Sequence, residues 1–168
     1  MAQQKSELQK QLEHQKFLHG ISYVQQAAGG IKKLNSSELS HLNQILTDNK
    51  HEPWRLSETK VQIPSGQMQH FNIVSNPINR AREIIGNASD MAANDKTLEG
   101  ASYLYSQLVL EHLFMDANRR TAVLATLWLL QSYSLEVDAQ ELLRVPIGNL
   151  RDKKDLELLA QKIEKLVR

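Results

Sequence analysis

The chain has 168 residues, 41% hydrophobic and 23% charged, and its 20 Lys and Arg against 19 Asp and Glu leave a formal net charge of +1. That length suffices for one domain with a real core, and the even charge balance gives no reason to expect nucleic acid or an anionic membrane as a partner. The absence of cysteine excludes a disulfide framework, a thiol nucleophile and a thiolate metal site.

No stretch is both long and apolar enough to span a bilayer, and Met1-Ala2-Gln3-Gln4-Lys5 lacks the hydrophobic segment of a signal peptide. The expected location is the cytoplasm, with delivery to another cell left open. Ser6 and Gln9 form a capping box, and Leu8 and Leu12 repeat at helical spacing through a polar segment running toward Gly20. This reads as a solvated helix resting on the domain by a narrow stripe, with partner binding or self-association as the alternative. Gly29-Gly30 marks a bend, so residues 1–30 are set apart as an N-terminal helical extension of a domain over 31–168.

Asn35-Ser36-Ser37-Glu38 caps a second helix whose Leu39, Leu42, Ile45 and Leu46 share one face. His41 and His51 have no partner at metal-binding spacing and read as surface residues. Lys60-Val61-Gln62-Ile63 and Gln67 to Ile73 alternate polar and apolar around Pro64-Ser65-Gly66, which predicts a β-hairpin. By itself it reads as a plug for the core; a free edge on which an extended peptide adds as a strand is the second reading. A third helix follows Asn76-Pro77 and runs to Gly86, with a turn or short helix end over Met91 to Asp95.

From Thr97, Ala101, Leu104, Tyr105 and Leu108 recur at helical spacing as far as His112. Thr121 to Leu130 is apolar almost all round, the mark of a central helix buried on every side. Asp138 to Arg144 forms a short helix, and Leu156, Leu159, Ile163 and Val167 line a last, docking helix. The fold class is therefore mainly α, a helical bundle around a buried helix with one β-hairpin.

Between the two apolar helices stands Glu111-His112-Leu113-Phe114-Met115-Asp116-Ala117-Asn118-Arg119-Arg120-Thr121. Leu104, Leu108 and His112 are spaced to share the core seam, and Asn118 is a good N-cap for the buried helix, placing Arg119 and Arg120 in its first turn. That is the wrong end for cations, each costing about 0.3–1 kcal/mol. An Asp116–Arg surface network is the plain reading. The sharper one joins free helix-start N–H groups, two guanidiniums and an amide into a phosphate site, with Asp116 to hold Mg²⁺ and His112 to take a hydroxyl proton. Such a site suits phosphoryl or nucleotidyl transfer. A dinuclear metal centre lacks ligands, and a Walker-type loop lacks glycines.

These residues resemble the Fic/Doc family signature, His-x-Phe-x-Asp/Glu-Ala/Gly-Asn-Gly/Lys-Arg, with only Arg119 outside the family's choices. Trp54-Arg55 followed by Val61-Gln62-Ile63 is similar to the stretch before the family's flap hairpin, and the resemblance covers roughly Leu34 to Val137. It implies that His112 is the general base, that Asp116 coordinates Mg²⁺, and that Asn118 and Arg120 hold the phosphates of ATP or another nucleotide. The amides of Ala117 to Arg119 would form the anion hole, Phe114 would anchor the loop, and Val61, Gln62 and Ile63 would dock the target by main-chain pairing.

The implied activity is transfer of a phosphate-containing group to a Ser, Thr or Tyr hydroxyl of a target protein. AMP-transferring members usually carry glycine at Ala117 and Arg119 and another arginine at Val123, so the pattern sits closer to the Doc branch, which moves the terminal phosphate of ATP. AMP or another nucleotidyl group is the alternative, and a catalytically silent nucleotide- or partner-binding module is a third reading. The family's autoinhibitory Ser/Thr-x-x-x-Glu-Gly/Asn is absent, since Asp95 precedes Glu99-Gly100 where Ser or Thr is required. An active toxin-like enzyme would then be restrained by a separate antitoxin or by delivery elsewhere, and the reading leaves homo-oligomer formation open.

Overall fold

In a computed structural model of the chain, the described residues are 5–30, 32–56, 59–62, 68–71 and 76–168. Helix α1 spans Glu7–Ala28, opened by the reciprocal bonds of Ser6 and Gln9. Helix α2 is Ser36–Thr47, capped by Asn35 Oδ1 on the Glu38 N–H and ended by Asp48 in the left-handed region. Strand β1, Thr59–Gln62, pairs antiparallel with β2, Met68–Phe71, Val61 opposite Gln69. The turn over Pro64-Ser65-Gly66, and Ile63 with it, lies outside the described residues.

Asn76 caps α3, Pro77–Ala93, with Pro77 in the first turn, where its missing N–H leaves nothing unsatisfied. Helix α4 is Thr97–Glu111, α5 is Asn118–Ser132, α6 is Ala139–Arg144 and α7 is Lys153–Leu166. Asp138 and Asp152 cap α6 and α7 with their carboxylates. Among the described residues, no helix is long and apolar enough to cross a membrane.

The fully apolar stretch becomes the axis of the molecule. Ala122, Val123, Leu124, Ala125, Thr126, Trp128 and Leu130 on α5 are completely buried, and α1, α2, α4 and α6 pack around them. Thr126 is tolerated there because its hydroxyl donates to the Ala122 carbonyl.

Two helices run past the glycines at which the periodicity ended them. Helix α1 continues through Gly20 to Ala28, because Gly20 is a packing position: a Cβ there would meet Leu124 Cδ1 at 2.5 Å. The face that α1 buries is Phe17, Gly20, Val24 and Ala27, whereas Leu8 and Leu12, the expected stripe, are exposed. Helix α3 likewise passes through the exposed Gly86 to Ala93.

Helices α3 and α4 cross closely at Gly100, where a Cβ would lie 2.7 Å from the Ala88 carbonyl oxygen. Backbone cannot retreat as a side-chain tip can, so Gly100→Ala is expected to destabilise the fold by about 1–3 kcal/mol. Chemical denaturation measures this, and an unchanged midpoint would refute the close crossing.

Candidate active site

The loop between α4 and α5 begins and ends with a residue in the left-handed region: His112, the C-cap of α4, has φ 52°, and Ala117, the N-cap of α5, has φ 58°. Each such non-glycine residue costs on the order of 1–3 kcal/mol and persists only where its surroundings over-determine it. Three sets of contacts supply that constraint.

First, the segment Pro53 to Arg55 lies antiparallel beside the loop. Trp54 bridges Phe114, the Arg55 N–H donates to the Leu113 carbonyl at 2.7 Å, and the Met115 N–H donates to the Pro53 carbonyl at 3.2 Å. The Trp54 and Phe114 rings stack at 4.7 Å, both buried. Buried Arg55 also donates from Nε to the His112 carbonyl at 2.6 Å and from Nη2 to the Glu111 carbonyl at 3.4 Å. These are the last carbonyls of α4, where a cation is favoured by the helix dipole.

Second, Asn118 holds the loop from its other end. Its Oδ1 accepts from the Phe114 N–H and its Nδ2 donates to the Phe114 carbonyl, both at 2.9 Å. Third, buried Asn43 on α2 donates from Nδ2 to the Asp116 carbonyl at 2.8 Å and to Thr121 Oγ1 at 3.0 Å, and Thr121 Oγ1 donates to the Ala117 carbonyl. Outside the loop, Arg80 on α3 pairs with Glu111 at 2.8 Å and so fixes the residue before His112.

The placement of the expected site residues departs from the sequence reading in four respects. His112 is the C-cap of α4 and only partly buried, unlike Leu104 and Leu108, because the chain turns left-handed there instead of continuing the helix. Burial, then the nearby Arg55 cation, lowers its pKa from 6.5 to about 4, with Asp116 opposing. The imidazole is therefore neutral at pH 7, able to accept a proton. Asn118 is the first residue of α5, not its cap, and its amide is engaged with Phe114 rather than turned toward a ligand.

Arg119 is directed away from the helix start: its Nε donates to Tyr105 Oη at 3.1 Å and its Nη2 to the Val145 carbonyl. Of the two guanidiniums expected at the phosphate site, only that of Arg120 lacks such partners, and its Nη1 is buried with no hydrogen-bond partner among the described residues. Asp116 is exposed, and its Oδ1 accepts from the Ala117 N–H at 2.7 Å. Among the described residues, no side chain caps α5. Beyond Ala117, its first N–H groups point out of the helix start without an intrahelical partner.

Among the described residues, no group of three or more His, Cys, Asp or Glu could hold a metal. A cation on Asp116 therefore needs oxygen ligands from something else. Mg²⁺, which commonly takes one or two carboxylates plus substrate phosphates, fits that condition. Asn43 went unrecognised in the sequence, although a signal existed: an amide four residues after Leu39 and three before Leu46, on the face α2 buries. Arg55 stands out in the sequence only as a neighbour of the hairpin.

Fold and site together define an α-helical protein in which one constrained loop carries a neutral histidine at its start and leads into a helix start without a side-chain cap at its end. The model of the Fic/DOC family matches residues 33–130, and the chain belongs to that family, whose members are usually protein-modifying transferases. No curated protein matches.

Solved structures do match. A Fic domain containing signaling protein from Bacteroides thetaiotaomicron aligns over 99% of this chain and 71% of its own, with a TM-score of 0.72 and 14% identity. The VirB-translocated effector BepC from Bartonella tribocorum, solved with bound AMPPNP, aligns over 93% of this chain and 86% of its own, at TM-score 0.59 and 12% identity. The Fic domain of the effector Bep5 from Bartonella clarridgeiae covers 97% and 88%, at TM-score 0.55 and 14% identity. Similarity at this level of identity concerns the fold.

Proposed function

We propose that this chain transfers the terminal phosphoryl group of ATP to a Ser, Thr or Tyr hydroxyl of a target protein. The observation that carries the reading is the buried Nη1 of Arg120, without a partner among the described residues, in the first turn of α5, whose preceding loop begins at a neutral His112. A buried unsatisfied guanidinium N–H calls for an anion, and a helix N-terminus is a ready phosphate site. The AMPPNP bound to BepC supports a nucleotide as that anion.

In the proposed reaction, the target oxygen bonds to the γ-phosphorus and the bond from the β–γ bridging oxygen breaks. ADP leaves, and His112 accepts the hydroxyl proton. Arg120 and the amides of Ala117 to Arg119 hold the phosphates, which requires the Asp116 carboxylate to release the Ala117 N–H. Asp116 would instead hold Mg²⁺, whose charge offsets that of the phosphates. The edge of β1 at Val61 and Gln62 would align the target by strand addition, a role the sequence also assigns to Ile63, which lies outside the described residues. The catalytic domain would span 31–168 with 1–30 as its extension, and a separate antitoxin would restrain it.

The withdrawal of Arg119 favours a second reading, because it leaves the amides of the helix start clear of a competing cation. An α-phosphate could then occupy the hole, with AMP transferred and pyrophosphate released. Incubation of the protein and a lysate with ATP labelled at the α or the γ phosphate separates the two. Label from γ alone is expected. Label from α overturns phosphoryl transfer, and no label from either, with His112→Ala indistinguishable from wild type, leaves a binding module.

Arg120→Met is expected to weaken binding of Mg–AMPPNP by about 10–100-fold, as loss of a charge-assisted contact implies. Titration calorimetry reads this directly, and unchanged affinity would remove Arg120 from the phosphate site.

A further inference from the structure

Arg119 is the residue that sets this chain apart from the family signature, and its surroundings assign it work other than binding phosphate. A cation in the first turn of a helix is disfavoured by the dipole. The Arg119 side chain resolves this by leaving the helix start: it crosses to Tyr105, completely buried on α4, and to the carbonyl of Val145, the C-cap of α6. Helix C-termini carry partial negative charge, so the guanidinium has exchanged an unfavourable helix end for a favourable one. One side chain thereby links α4, α5 and α6 next to the anion hole.

We propose that Arg119 is a positioning residue: with Tyr105 and the Val145 carbonyl it fixes the first turn of α5, so that phosphate is held by backbone N–H groups and Arg120 without the Arg119 guanidinium. The inference builds on the nucleotide-transfer reading above, but its structural half is testable without nucleotide.

The first measurement is amide hydrogen exchange on the ligand-free chain, comparing wild type with Arg119→Met, Tyr105→Phe and the double variant. Thr121, whose N–H donates to the Ala117 carbonyl, and Ala122 report the first closed turn of α5. Both single variants are expected to exchange there about tenfold faster, the double variant no faster than the worse single, with α3 and α7 unchanged. Unchanged exchange in α5 overturns the proposal. So does equal acceleration in all helices, which would make the link one of global stability only.

The second measurement follows the arginine Nε–H signals by NMR as Mg–AMPPNP is added. Arg120 is expected to shift while Arg119 keeps its Tyr105-bonded signal. Movement of Arg119 onto the nucleotide overturns the proposal. If wild type binds no nucleotide, the proposed function fails, and the exchange data still decide whether Arg119 fixes the start of α5.

Discussion

Substituting His112→Ala is expected to lower group transfer by about 10²–10⁴-fold, the usual contribution of a general base, while nucleotide affinity stays at the wild-type level. The backbone anchors of position 112 remain in that variant, its carbonyl held by Arg55 Nε and its N–H bonded to the Leu108 carbonyl. Labelled-phosphate transfer to a target measures the rate, and calorimetry the affinity.

The pH profile should carry the same signature. With the His112 pKa lowered from 6.5 to about 4 by burial and by Arg55, the base form persists well below neutrality. The rate of the free enzyme should therefore stay level down to about pH 5 and fall tenfold per unit only below about pH 4. Stability follows the same sign. The unfolded chain binds the His112 proton first, so the contribution of the neutral imidazole is complete above 6.5 and is lost as pH falls from there through about 4. Wild-type rates in His112→Ala, or an acidic limb at 6.5, would refute the assignment.

The second large effect is on the fold of the loop. Asn118→Ala removes the acceptor for the Phe114 N–H and the donor to the Phe114 carbonyl, leaving two buried backbone groups unsatisfied. At about 1–3 kcal/mol each, the expected loss is about 2–5 kcal/mol, a fall in Tm of roughly 5–15 °C for a chain of this size. Activity should fall with it, since His112 and Ala117 would lose the constraint that keeps them left-handed. A phosphate ligand would behave oppositely, with weakened nucleotide binding at an unchanged Tm, and scanning calorimetry with titration distinguishes the two.

These expectations show how unevenly the chain could be read in advance. The buried character of α5 was legible because its apolar residues occupy every side of a helical wheel, which only a helix enclosed by others can sustain. The caps at Ser6 and Asn35 were legible because capping is local chemistry within a few residues. Gly20 and Gly86 misled, since a glycine within a helix may terminate it, admit a neighbour or merely be tolerated, and Leu124, which decides the matter at Gly20, lies far along the chain.

The loop at 112–120 announced its chemistry by the residue types it gathers, yet not which of them would reach a ligand. Sequence alone determined that a histidine, a carboxylate, an amide and two guanidiniums crowd the start of a buried helix, because covalent neighbours cannot be far apart. Tertiary structure decided how they divide. Asn118 turns to Phe114, Arg119 turns to Tyr105 and Val145, and Arg120 keeps a buried N–H with no partner among the described residues. The physical reason is that a buried polar group takes whatever partner the fold brings within reach. For Asn118 that partner stands four residues away, for Arg119 one stands twenty-six residues away, and for Arg120 we propose that it is the phosphate of a nucleotide.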